Sequence, residues 1–150
     1  MIRTVFNGVL CAVIMLLLAA CGRELPEQRL RTTFAAMQEN VEAGKPGAFM
    51  DAVAPDFVGN QGLDRAGLER LLRGQLLLNA KVAIQTGPLR VEMGEGGTAT
   101  VRFTVLLTGG SRGLLPERGQ MQEVVSGWRE QDGEWQVYSA DWGPVGGEGG

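Results

Sequence analysis

From Pro26 onward the apolar positions Leu30, Phe34, Met37 and Val41 follow one another at steps of four, three and four. A helix would set them on one face and leave Arg29, Arg31, Gln38 and Glu42 largely elsewhere. Pro26 suits the first turn, where its missing N–H would be unpaired anyway, and Gly44 offers a stop. Pro46 can open a second, short helix with Phe49, Met50 and Val53 turned inward, ended by Pro55. Asp64 can cap a third helix running to Leu78, with Leu68, Leu71, Leu72 and Leu76 as its apolar stripe; Gly67 and Gly74 weaken it modestly.

Beyond Lys81 the period falls from near 3.6 to two. Ala99, Val101, Phe103, Val105 and Leu107 alternate with Thr98, Thr100, Arg102, Thr104 and Leu106, the pattern of a half-buried strand. Val82 to Met93 reads as another strand, bent or bulged at Gly87-Pro88, because proline cannot donate a ladder hydrogen bond. Gly94 to Gly97 joins the two. Asp132-Gly133, set between Gln120–Gln131 and Glu134–Trp142, is a two-residue hairpin turn. With Gln131 opposite Glu134, regular pairing sets Trp128 against Val137, Gly127 against Tyr138, Val125 against Ala140 and Val124 against Asp141. Gly127 would then make room for Tyr138. Gly109 to Gly119 reads as a loop, and Gly143 to Gly150 is too poor in apolar residues to pack. Three helices followed by an antiparallel meander make an α+β domain with the helices on one face of the sheet.

The amino terminus has a different grammar. Arg3 precedes an apolar run from Val9 to Ala20 that ends in small residues. The layout is that of a signal peptide, and the run falls short of the roughly 20 residues needed to cross a hydrocarbon core. Leu18-Ala19-Ala20-Cys21-Gly22 resembles the lipobox of bacterial lipoproteins. The resemblance implies cleavage before Cys21, acylation of its thiol by diacylglycerol and an amide-linked acyl chain such as palmitate, and attachment to a lipid bilayer. Gly22 stands where an inner-membrane retention signal would show Asp in some bacteria, which points to the periplasmic face of the outer membrane. The chain then divides into a signal peptide (1–20), a lipidated cysteine with a short tether (21–26), one folded domain (27–145) and a glycine-rich tail (146–150).

Composition narrows the chemistry. The 150 residues suit a single core. Removing residues 1–20 takes away Arg3 and no acid, so the formal net charge moves from −3 to −4. A mildly acidic chain without a basic stripe lacks the footprint that a nucleic acid partner requires. With Cys11 in the removed segment, Cys21 has no disulfide partner. The chain contains no histidine, which excludes His-based triads and His-ligated metals. With no acidic cluster at ligand spacing, neither a metal nor a cofactor is expected.

Two stretches carry a family resemblance. Phe49-Met50-Asp51-Ala52-Val53-Ala54-Pro55-Asp56-Phe57-Val58-Gly59 is similar to the helix-to-first-strand junction of the NTF2-like superfamily, the cone fold of SnoaL-like proteins and ketosteroid isomerases. Asp132-Gly133-Glu134-Trp135-Gln136-Val137-Tyr138 is similar to its terminal strand. The resemblance spans roughly Glu27 to Trp142 and implies three amino-terminal helices packed on a curved antiparallel sheet, with a pocket at the open end of the cone. Some members use that pocket for isomerisation, hydrolysis or cyclisation, and others only for binding. The isomerases' carboxylate base would fall near Asn60 or Gln61, neither of which can act as a base, and the first helix offers Phe34 where a tyrosine would be needed.

Asp141, Tyr138 and Glu123 remain as polar groups on the last hairpin. Asp141 is the candidate catalytic carboxylate, with Trp128, Tyr138 and Asp141 as candidate ligand contacts. Regular pairing would put Tyr138 and Asp141 on opposite sheet faces unless a bulge intervenes. Asp141 also suits a solvated or capping role, Trp128, Trp135 and Trp142 suit packing, and Asp56 suits a turn after Pro55. Three readings follow. The first is an envelope lipoprotein whose domain binds a small apolar ligand or a protein partner. The second is a SnoaL-like enzyme using a pocket carboxylate, and the third is a structural homodimer paired through its open sheet face.

Overall fold

The computed structural model describes residues 24–78, 82–109 and 121–146. Cys21, most of the expected Gly109–Gly119 loop and the last four residues of the tail lie outside them.

Helix α1 spans Pro26–Glu42 and buries Leu30, Met37 and Val41, as its spacing demands. Gly44 follows at φ +68° and donates its N–H to the Val41 carbonyl at 3.0 Å. Helix α2 is a single short turn, Pro46–Met50. Val53, expected in that helix, and Pro55, expected to end it, instead both belong to strand β1, Val53–Gly59. Pro55 is tolerated because β1 is an edge strand, where a missing N–H leaves no ladder partner wanting.

A 3₁₀ turn, Asn60–Gly62, leads into helix α3, Arg65–Leu78. Asp64 caps that helix, its Oδ1 accepting the Gly67 N–H at 2.7 Å. Arg65 donates to the carbonyls of Met50 and Val53, fastening α3 to the corner between α2 and β1. Leu68 packs against the core, whereas Leu71, expected on the same stripe, stands half in solvent.

The remaining strands are β2 (Val82–Thr86), β3 (Arg90–Met93), β4 (Thr98–Gly109), β5 (Met121–Gln131) and β6 (Glu134–Pro144). β2 and β3 are the two halves of one edge, both antiparallel to the long β4, and they part at Gly87-Pro88 where the bend was expected. Strand β6 reaches Pro144, so Gly143 pairs with Glu123 and does not begin the tail. The strand order is β1-β6-β5-β4-β2, with β1 parallel to β6. The α+β class is the one expected, and the sheet is curved, but it is mixed rather than wholly antiparallel.

Leu30, Val53, Val101, Trp128 and Trp135 fill the core between α1 and the concave face of the sheet. Arg29 ties α1 to the β5–β6 turn, donating to the Gly133 carbonyl and to Glu130.

Candidate functional site

The inward residues of the strands and the apolar stripe of α1 do not close completely on one another. They leave a cavity of about 240 Å³ whose wall includes Phe34, Phe49, Leu68, Phe103, Val124 and Trp128. Each wall residue is placed by the local pattern. Phe34 lies one turn beyond the buried Leu30, while Phe103 follows Ala99 and Val101 on the inward phase of β4. Val124 and Trp128 share the inward phase of β5. Phe34 and Phe103 meet edge to face, centroids 4.8 Å apart at 81°, and Phe34 lies 6.4 Å from Trp128.

Among the described residues, three polar side chains border the cavity, and each makes a hydrogen bond elsewhere. Gln38 donates from Nε2 to the Ile84 carbonyl at 3.1 Å and accepts the Thr86 hydroxyl at its Oε1 at 3.2 Å. Ser126 donates to the Val101 carbonyl and accepts the Trp128 indole N–H at 2.9 Å. Among the described residues, no acidic or basic side chain lines the wall. Gln38, assigned by spacing to the polar side of α1, in fact reaches β2, the last strand in the described order. Glu42 accepts the Ile84 N–H at 3.2 Å beside it. The two side chains take both the N–H and the carbonyl of Ile84, as a neighbouring strand would.

Of the sequence candidates, Trp128 is in the cavity wall. Tyr138 and Asp141 are not. A register shift in the β5–β6 pairing inserts Tyr138 as an extra residue: Trp128 faces Val137, but Gly127 faces Ser139, Ser126 faces Ala140 and Val125 faces Asp141. The bulge reverses the expected phase and puts Tyr138 and Asp141 on one face. That face is the outer one, turned away from the cavity. Gly127 does make room for Tyr138, whose ring carbon Cζ would lie 2.8 Å from a Cβ at that position. Arg129 stacks over the same ring at 5.8 Å.

Asp56 does not close a turn. Its carboxylate takes a two-pronged ion pair from Arg129, one arm at 2.9 Å. The hydrogen bond from Arg129 holds the Asp56 carboxyl below its ordinary range, and the same bond holds the Arg129 guanidinium above its own. Asn60, where an isomerase base was sought, spends its amide on β6. Its Nδ2 donates to the Trp142 carbonyl and its Oδ1 accepts the Trp142 N–H at 3.0 Å. Gln61 holds the 3₁₀ turn in a left-handed conformation, φ 57°. Glu123 borders a separate hollow of about 220 Å³ with Arg90 and Arg102. Among the described residues, no group of acids or cysteines is placed to hold a metal ion.

Helices packed on one side of a curved mixed sheet, around a cavity, give the chain the fold seen in solved NTF2-like structures. The chain is similar in fold to a protein from Novosphingobium aromaticivorans provisionally assigned as a scytalone dehydratase, with TM-score 0.71, 13% identity, and coverage of 82% of this chain and 95% of that one. It is also similar to a provisionally assigned dehydratase of the NTF2-like family from Streptomyces avermitilis (TM-score 0.69, 16% identity, 81% and 97% covered). An NTF2-like protein of unknown function from Pseudomonas putida shares the fold as well (TM-score 0.64, 17% identity, 75% and 82% covered). No family model matches the sequence, and no curated protein matches it significantly.

Proposed function

We propose that this chain is a lipid-anchored protein of the bacterial cell envelope whose NTF2-like domain binds a small, uncharged apolar molecule. The observation that carries the binding role is the cavity: about 240 Å³, walled by aromatic and aliphatic side chains, with no acid or base among the described residues that border it. Proton transfer needs a group of suitable pKa within hydrogen-bond reach of the substrate. The carboxylate nominated from sequence, Asp141, lies on the other face of the sheet. The anchoring role is supported by the residues before the fold, an apolar run ending in Leu18-Ala19-Ala20-Cys21-Gly22. Gly22 favours the outer membrane.

Native mass spectrometry of the full-length protein, extracted gently from its own membrane, tests both parts at once. The expected spectrum shows a chain beginning at an acylated Cys21 and a retained non-covalent small molecule, and it also reports any homodimer. Ala140 lines the cavity, so Ala140→Phe should fill it and remove the non-covalent mass while leaving the acyl mass in place. Retention of the same ligand by Ala140→Phe would show that it binds elsewhere. Loss of an envelope phenotype in Asp141→Asn, with ligand retention intact, would favour the enzyme reading instead.

A further inference from the structure

Each polar side chain described in the cavity wall is hydrogen-bonded to another of them or to the backbone. Gln38 is held by Thr86 and Ile84, and Trp128 by Ser126, whose own proton goes to Val101. Among the described residues the wall that faces the cavity is almost wholly apolar, so it presents next to no donor or acceptor to a ligand. A hydroxyl or carbonyl carried into the cavity would lose its water and find no replacement partner, a cost far larger than the gain from a made bond.

We propose that the cavity is a hydrocarbon site, selective for a ring or branched alkyl group with no hydrogen-bonding atom inside it, and that the Thr86–Gln38 and Ser126–Trp128 pairs set this selectivity by cancelling the polarity of the wall. The inference rests on the reading of the cavity as the binding site. Size agrees with it. An apolar cavity of about 150 Å³ admits benzene, so about 240 Å³ accommodates a substituted six-membered ring. The two pairs are specificity-determining residues of opposite sense. Removing the Ser126 hydroxyl frees an indole N–H, which donates; removing the Thr86 hydroxyl frees a lone pair on the Gln38 amide, which accepts.

The test uses the full-length protein in phospholipid nanodiscs, with cyclohexane, cyclohexanone and cyclohexanol supplied through the vapour phase. Equilibration with vapour fixes the free ligand whatever the lipid absorbs. Binding is followed by tryptophan emission, to which Trp128 in the wall contributes. In the wild type, cyclohexane should bind and the two oxygenated rings should bind at least tenfold more weakly. Ser126→Ala should strengthen cyclohexanone roughly three- to tenfold, the worth of one neutral hydrogen bond, with cyclohexane nearly unchanged. Thr86→Val should do the same for cyclohexanol and not for cyclohexanone. Each variant serves if the other fails to fold. Wild-type binding of cyclohexanol as tight as that of cyclohexane, or equal response of both oxygenated rings to both variants, would overturn the selectivity and leave the binding site standing. Absence of cyclohexane binding would overturn the binding reading itself.

Discussion

Single residues here are often committed to bonds that their neighbours in sequence do not suggest. Asp56 is the clearest case, since Pro55-Asp56 reads as a turn and yet the carboxylate reaches Arg129, 73 residues on. Linkage gives this pair a definite pH signature. The folded carboxyl is held below the ordinary value of 3.8 by its Arg129 hydrogen bond. Its contribution is therefore complete above about 3.8, shrinks as the unfolded chain takes up protons below that value, and is gone once the folded carboxyl is protonated too. With the Asp56 side chain 64% exposed, solvent screens the pair and the effect is small. Urea melts of wild type and Asp56→Asn should show a small deficit for the variant at pH 7 that disappears well below 3.8. A deficit of the same size across the whole range would assign the loss to packing rather than charge. Trp128 illustrates a different commitment, with its ring in the cavity wall and its N–H spent on Ser126.

At the scale of elements, periodicity identified the long units well. The α1 stripe, the Asp64 cap, the phase of β4 and the Asp132-Gly133 turn all stand where the pattern puts them. Periodicity missed strand β1, because a seven-residue segment containing Pro and Asp has poor strand propensity, although the family resemblance of Phe49 to Gly59 implied a first strand there. It exists because β6 offers a paired edge and the core takes Val53, Ala54 and Phe57. The β4 phase makes a prediction that also reports on the cavity. Phe103→Ala should cost about 3 kcal/mol, the low end for truncating a phenylalanine, because the ring already borders empty space. Thr104→Ala, on the opposite face of β4, should stay within about 0.5 kcal/mol. Equal urea midpoints for the two variants would mean that the strand is turned over.

For the molecule as a whole, the start of α1 at Pro26 gives the proposed anchor a short leash. Four or five extended residues between Cys21 and the helix reach roughly 15 to 18 Å, which would keep the cone close to its bilayer and its ligand supply at the membrane surface. Cys21→Ser should abolish incorporation of labelled palmitate and leave the precursor uncleaved, since a hydroxyl does not replace the thiolate as the acceptor of diacylglycerol. Normal processing and membrane retention of that variant would remove the lipoprotein reading. A harmless long Gly/Ser insertion after Gly22 would show that closeness to the bilayer is dispensable.

The sequence by itself determined the order and type of the long elements, the α+β class and the absence of histidine chemistry. Each of these follows from local composition or from a period read over a dozen residues. The tertiary structure alone decided that β1 pairs in parallel with β6, that a bulge at Tyr138 moves Tyr138 and Asp141 together onto the outer face, and that Gln38, Thr86 and Ser126 border the cavity already hydrogen-bonded to other groups. A one-residue bulge reverses every later side chain on a strand while leaving no mark in an alternating pattern. Whether a polar side chain is free to act depends on partners dozens of residues away, brought within reach only by the fold.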